Sequence, residues 1–397
     1  MALQKGVTMN TGKIVFSQVM EFFPWRTFQR RVERYKGNYR IKDFSCSDQF
    51  LCMAFAQITF RESLRDIEAC LRSLKNKLYH LGIRGKVSRS TLADANNNRD
   101  WHIYADLAQN LIHQARSLYL DENFGVELDN TVYALDSTTI NLCLSLFPWA
   151  QYSQTQAGIR LHTLLDLRGS IPSFIDVVRV KGYHECLVLD HLIAEAGSFY
   201  IMDRGYLSFK RLYALNQALA FFVVRSRNKI HHRRVYSHPV DKSLGLRSDQ
   251  TVALTGHTSR FDYPDKIRRV VIHDQEHDTR LILFTNNFQL SAQTIAQLYK
   301  QRWKIELFFK WIKQHLRIKK FFGTSENAVK TQIWIAVCVY VLVAIIKKRL
   351  NIKAELYTIL QILSVSAFEK IELSRLLSTE IDKEQSSDSC NQLLLFN

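Results

Sequence analysis

A chain of 397 residues with 47% hydrophobic and 23% charged residues is long enough for two or three domains with their own cores, which excludes a disordered or fibrous protein. Lys and Arg number 54 against 37 Asp and Glu, a formal charge of +17, and a field of that sign favours a polyanion, nucleic acid ahead of an anionic membrane surface. The cysteines at 46, 52, 70, 143, 186, 338 and 390 contain no C-x2-C pair, which speaks against a structural zinc site and for a reduced, intracellular protein. Residues 1 to 20 lack the apolar core of a secretory signal.

The first stretch, 1–125, reads as helical. Ser47 is the expected cap of a helix through Phe50, Leu51, Met53, Ala54, Phe55 and Ile58, and Leu64, Ile67, Leu71, Leu74 and Leu78 repeat at helical spacing from Ser63. After Gly82 and Gly85, Ser88 starts a short helix with Arg89, Ser90 and Thr91 at its N-terminal end. That segment is either a recognition helix or an ordinary polar connection. Between residues 26 and 40, Arg26, Arg30, Arg31, Arg34, Lys36 and Arg40 interleave with Phe28, Tyr35 and Tyr39, which suits a surface tracking a nucleic-acid strand or a solvated basic face.

From Thr131 the period changes to that of strands. TVYALDSTTI ends its apolar part at Asp136, RLHTLLDLRG and SIPSFIDVVRV form a hairpin turning at Arg168 and Gly169, and His184 to Ala196 reads as a helix. SFYIMDRGY is a strand ending at Asp203, then come a helix from Phe209 to Ala218 and the strand FFVVRSR. This order predicts an α/β core, RNase H-like, spanning 126–226 and resuming at 287–350 around a β-rich insertion at 227–286. RSRNKIHHRR at its entrance is basic, and Arg225 and Arg227 are candidate DNA contacts. His273, Glu276 and His277 spell H-x-x-E-H, but strand-like flanks deny the motif the helix a zinc hydrolase needs.

Tyr299 to Lys313, YKQRWKIELFFKWIK, contains no helix breaker after a capping Ser291. A continuous helix places Tyr299, Arg302, Glu306 and Lys313 within about 60° on one face. An exposed Arg302/Glu306 pair alone would signify little. The spacing Y-x2-R-x3-E-x6-K, however, joins an oxygen ligand for a hard cation to two phosphate-binding cations. Further on, Ser325 caps an apolar helix to about Leu350, whose core run from Ile333 to Ile346 is too short to span a bilayer. A C-terminal region at 351–397 adds a helical pattern from Glu355 to Leu377, a polar tail and an apolar LLLF end.

Asp136, Asp203 and Glu306 together form a D, D, E series from two strand ends and a helix, with Asp166 and Asp176 as competitors ranked below them. Three such carboxylates are what two-metal phosphoryl transfer requires. The DST and DRGY motifs and the tyrosine, arginine, glutamate, lysine pattern resemble the insertion sequence four family of DDE transposases over about residues 130 to 345. NTGKIVFSQVMEFFPWRTFQRRV resembles the N-terminal domain that accompanies one branch of that family.

The resemblance implies a catalytic triad of Asp136, Asp203 and Glu306 holding two Mg²⁺ ions, with Mn²⁺ able to substitute, and end contacts by Tyr299, Arg302 and Lys313. It further implies cleavage at the inverted-repeat ends of an insertion sequence in double-stranded DNA, a hairpin intermediate, strand transfer into target DNA by a homodimer, and action in the bacterial cytoplasm at the nucleoid. The family's insertion-domain tryptophan has no counterpart here, where the insertion offers only Tyr236, Phe261 and Tyr263 as large rings. Two other readings remain, a transposase-derived DNA-binding protein that no longer cleaves, and a metal-dependent nuclease without strand transfer.

Overall fold

The computed structural model describes residues 12–74, 77–182, 184–226, 230–274, 278–315 and 321–378. Arg227, Glu276, His277 and the tail from 379 therefore lie outside the described residues. Two compact units divide the chain, Met1–Leu118 with Trp311–Asn397, and Tyr119–Lys310.

The helical unit opens with α1 (Val15–Glu21), α2 (Trp25–Arg34), α3 (Cys46–Ile58), α4 (Leu64–Ser73), α5 (Arg89–Asn98) and α6 (His102–Leu118). Helix α3 is capped by Ser45 rather than Ser47: Ser45 Oγ accepts from the Asp48 amide at 3.2 Å while Asp48 accepts from the Ser45 amide at 2.8 Å. Nearly every side chain of α3 is buried. Helix α4 stops at Ser73, short of Leu78, because only Ile67 and Leu71 of its apolar stripe find a core. On α2 the helical period turns Phe28 and Val32 inward. Phe28 packs on Phe23, Phe50 and Tyr104 at 5.5, 5.7 and 6.1 Å between ring centroids, so it belongs to the core and not to a basic surface.

The second unit is built on one nine-stranded sheet in the order β3-β2-β1-β4-β5-β9-β8-β7-β6. Its first part comprises β1 (Val132–Leu142), β2 (Ala157–Asp166), β3 (Ile171–Arg179), β4 (Phe199–Met202), helix α7 (Phe209–Gln217) and β5 (Phe221–Arg225). Strands β1 to β3 form an antiparallel meander, whereas β1, β4 and β5 run parallel, the RNase H-like arrangement anticipated from the strand order. Gly169 makes the β2–β3 turn possible at φ +71°, and a Cβ there would strike the Tyr119 ring.

The expected helix from His184 to Ala196 is instead a 3₁₀ turn, Glu185–Asp190, followed by irregular chain. Strand tyrosines hold that chain open, since the Glu195 amide donates to the Tyr200 hydroxyl at 2.9 Å and Tyr133 donates to the Glu195 carboxylate at 2.6 Å. After β5 come β6 (His232–His238), β7 (Leu246–Leu254), the short α8 (Ser259–Asp262), β8 (Ile267–Asp274) and β9 (Thr279–Thr285). Strand β9 pairs antiparallel with β5, so these strands extend the same sheet. A buried bidentate pair, Arg268 on Asp249 at 2.9 and 2.7 Å, clamps β8 to β7, and the same guanidinium donates to the Leu290 carbonyl at 2.6 Å.

The continuous helix expected after Ser291 is two helices, α9 (Ala292–Lys300) and α10 (Trp303–His315). Ser291 caps the first, accepting from the Thr294 amide at 3.0 Å. Between them Arg302, Lys304 and Ile305 donate to carbonyls three residues back, a tighter winding that resets the angular phase.

The helical unit is completed by α11 (Glu326–Arg349), α12 (Leu356–Ser366) and α13 (Leu373–Ser378). Ser325 caps α11 as expected, accepting from Ala328 at 3.1 Å. At 24 residues α11 is long and apolar enough to cross a bilayer, but its apolar window is 94% buried against α3, α5, α6 and α12, the position of a core helix. The helical pattern from Glu355 to Leu377 is realised as two helices, α12 and α13, with the chain between them bonded to α1. Val15 donates to Glu369 at 2.9 Å, Phe16 to Ala367 at 3.0 Å, and the Gln18 side chain to Ile371 at 2.6 Å.

Candidate active site

Parallel pairing of β1 with β4 ends at Leu135 opposite Met202. The next residue on each strand is an aspartate, Asp136 and Asp203, so the backbone places two carboxylates side by side where β4 stops. Asp136 does not end its strand as the sequence suggested. Strand β1 continues to Leu142 through its pairing with β2, and only its β4 flank opens at that level.

The α9–α10 corner closes over these groups. Arg302 donates to Asp136 Oδ2 at 3.0 Å and, through its other terminal nitrogen, to Glu306 Oε1 at 2.7 Å. Tyr299, itself buried, donates to Asp203 Oδ1 at 3.3 Å, and Arg225 stands 3.9 Å from the same oxygen. One guanidinium thereby ties Asp136 to Glu306, and one phenol ties Asp203 to α9.

Burial raises the Asp136 carboxyl from 3.8 to about 6. The Ser137 amide and Arg302 pull it down, while Asp203 and Glu306 push it up again. For Arg302, burial opposes the charge, but Tyr299, Asp136 and Glu306 outweigh it and hold the group above its ordinary value. Burial first, with Asp203 adding to it, drives the Tyr299 phenol up to about 12 despite Arg302, so it is a donor at neutral pH. The Glu306 side chain, 57% exposed, is the most solvated of the three carboxylates.

Side-chain oxygens in this number and charge are donors for a hard divalent cation, and the upward push on Asp136 by its neighbours is the charge deficit a cation would relieve. Among the described residues no three His, Cys, Asp or Glu converge closely enough to hold one ion. Arg302 stands between Asp136 and Glu306 instead. The competing carboxylates are elsewhere. In strand register both Asp166 and Asp176 project to the face opposite Asp136, Asp166 accepting from the Arg168 amide at 3.0 Å and Asp176 facing His191 at 3.7 Å.

The same alternation brings up a group the sequence did not flag. Behind the strand ends, Glu185 accepts from the Ser137 hydroxyl at 3.2 Å and lies 3.6 Å from Arg160, and its other oxygen leaves no space for a Cβ on Gly205. Glu185 thus braces the residue after Asp136 against the turn after Asp203. No local pattern announces it, since its partners are distant in sequence.

The remaining candidates are scattered. Lys313 is a half-buried residue in the part of α10 that falls in the helical unit. Arg89 and Arg30 are exposed on α5 and α2, whereas half-buried Arg31 lies 3.8 Å from Asp106, which Arg34 also approaches at 3.4 Å.

Comparison with known proteins gives this arrangement a context. Residues 11–84 match a domain of unknown function, DUF4372, and residues 127–342 match the model described as a transposase DDE domain. A probable transposase for insertion sequence element IS5377 from Geobacillus stearothermophilus is 33% identical over 52% of this chain and 54% of its own length. The putative transposase y4zB of Sinorhizobium fredii is 33% identical over 66% of this chain and 71% of its own. A putative transposase for insertion sequence element IS4SA from Synechocystis sp. is 25% identical over 80% and 88% respectively. The chain thus spans about half of the first relative's length and more of the other two. The cryo-EM structure of a piggyBac transposase synaptic complex with hairpin DNA aligns over 100% of this chain and 90% of that one at 11% identity and a TM-score of 0.48. The matched DDE domain begins before Asp136, ends beyond Glu306 and takes in more than half of the residues, so the chain belongs to the DDE-domain transposase family.

Proposed function

We propose that the chain is the DNA transposase of an insertion sequence, cutting the element from its flanks and joining it to a target, with Asp136, Asp203 and Glu306 as its catalytic carboxylates. The observation that carries this is the placement of Asp136 and Asp203 at the level where their shared pairing ends, with Arg302 and Tyr299 bound to them. The three carboxylates would hold two Mg²⁺ ions, or Mn²⁺ in their place. The chemistry those ions supply is activation of a water or 3′-hydroxyl and stabilisation of the leaving oxygen.

The chain's own part is positioning. Buried Tyr299 orients Asp203 by its hydroxyl, and Glu185 fixes the spacing of the two aspartates from behind. Arg302 favours the ionised form of Asp136, and its planar fork is the kind of group that would hold a phosphate were a cation to take up the carboxylates. Lys313 is the second phosphate contact. In-line displacements repeated at one such site account for nicking, a hairpin at the cut end and strand transfer, with two copies of the chain each holding one inverted repeat. Phosphate and metal contacts carry no sequence information, so recognition of the repeat falls to base contacts from elsewhere, for which the exposed Arg89 turn of α5 and Arg30 on α2 are suited. The activity would be exercised at the bacterial nucleoid.

The test uses the full chain with a duplex ending in the element's own repeat, in Mg²⁺. Nicking and joining are expected, both abolished by Asp136→Asn, Asp203→Asn or Glu306→Gln while the duplex remains bound. Nicking without joining would make the protein a nuclease, and binding without nicking by the unmodified chain would make it a DNA-binding relic. Cleavage retained by any one variant would remove that residue from the triad.

A further inference from the structure

Beside Asp203 the sheet unit holds a cleft of about 590 Å³ lined by Arg204, Arg225, Arg269 and Arg280 together with Asp278 and Ile282. Among the described residues the positive charge there is poorly neutralised. Asp278 has its carboxylate 94% exposed and 3.3 Å from His273, and Arg225 lies 3.9 Å from Asp203. Among the described residues Arg204, Arg269 and Arg280 have no carboxylate within 4.0 Å, and Arg269 donates only to the amide oxygen of Gln250 at 3.3 Å.

Strand register puts Arg269 and Arg280 on the same face of β8 and β9, because Val271 pairs with Ile282 and each arginine is two residues removed from that pair, whereas Arg225, opposite Leu283, starts from the other face and lines the cleft at the end of β5. Burial, and then Arg280, lower the Arg269 guanidinium from its ordinary value. A fold that merely needed solvated charge here would gain nothing from half-burying one arginine next to another. Four guanidinium forks with no lysine among them suit a multiply accepting oxyanion such as a phosphate, and the volume exceeds what one small ion fills.

We propose that this cleft is a phosphodiester subsite, binding a backbone phosphate of the DNA that the carboxylate site processes. It rests on the DNA-processing reading above. The strand would be gripped on the β5, β8 and β9 edge by arginine forks, independently of base sequence.

Two measurements on the full-length protein test it. Phenylglyoxal modification read by mass spectrometry should show Arg204, Arg269 and Arg280 protected by a duplex and, at higher concentration, by inorganic pyrophosphate, while exposed Arg349 on α11 reacts throughout. The double variant Arg269→Gln, Arg280→Gln should bind duplex with a salt slope lower by about 0.9, the value for one phosphate, without a lower melting temperature. A wild-type chain that binds duplex while all three arginines react freely overturns the subsite and leaves the transposase reading standing. A wild-type chain that binds no duplex overturns both. An unchanged slope in a folded double variant overturns the subsite alone.

Discussion

Neutralising the central carboxylate should stabilise this protein, and the gain should depend on pH. Asp136 has a side chain 20% exposed and a carboxyl held at about 6, chiefly by burial, against an ordinary 3.8. Between those values the folded chain keeps a proton that the unfolded chain has released, so stability falls as pH rises through that window. Above it, holding Asp136 ionised costs about 3 kcal/mol. Asp136→Asn keeps the shape and an oxygen for the Ser137 amide while removing the charge. At pH 8 in EDTA the variant should therefore melt higher by roughly 6 to 12 °C, taking about 2 to 4 °C per kcal/mol for a unit of this size. At pH 5 the gain should be about half as large. Scanning calorimetry of both proteins at the two pH values measures it directly. A variant that melts lower than the parent at pH 8, or a gain equal at both pH values, would show that Asp136 is not strained by its surroundings as argued.

Three further outcomes follow from individual contacts. Tyr299→Phe removes the hydroxyl from Asp203, a bond worth about 1 kcal/mol, and should slow cleavage roughly fivefold with little change in duplex affinity; an unaltered rate would make the phenol structural only. Gly205→Ala meets only the carboxylate end of the flexible Glu185 side chain, so it should push that group off Ser137 at a cost below about 1 kcal/mol, and the cost should vanish when Glu185→Ala is added, as denaturant melts would reveal. Arg268→Ala leaves Asp249 buried without its partner and should cost about 3 to 5 kcal/mol, whereas loss of less than about 1 kcal/mol would mean that water reaches the pair.

The site was legible where chemistry and local pattern coincide. Asp136 and Asp203 follow apolar strand runs, and Ser291, Ser88 and Ser325 cap the helices their positions suggest. The bend between α9 and α10 was not legible, because Gln301 and Arg302 are ordinary helix residues and the bend accompanies a bond from Arg302 to a residue 166 positions away. For the same reason Glu185 went unnoticed, its function residing in Ser137, Arg160 and Gly205. Phe28 misled because its basic neighbours describe one face of α2 and the ring occupies the other. At α3 the local sequence does carry the signal, since Ser45 and Asp48 satisfy the capping-box spacing that Ser47 does not.

The helical unit is assembled from two separated lengths of chain, and this has a consequence for synthesis. Residues 119–310 emerge as a continuous block and can fold as soon as they are clear of the ribosome. Helices α3 and α6 precede them but are packed by α11, which is translated some tens of seconds after α6 at roughly 5 to 20 residues per second. The unit translated first is therefore the last to close. Until α11 arrives, the apolar faces it will cover stay open to chaperones or to other nascent chains, so the aggregation hazard of this protein is concentrated in that interval and would be relieved by slower initiation rather than by a more stable sheet.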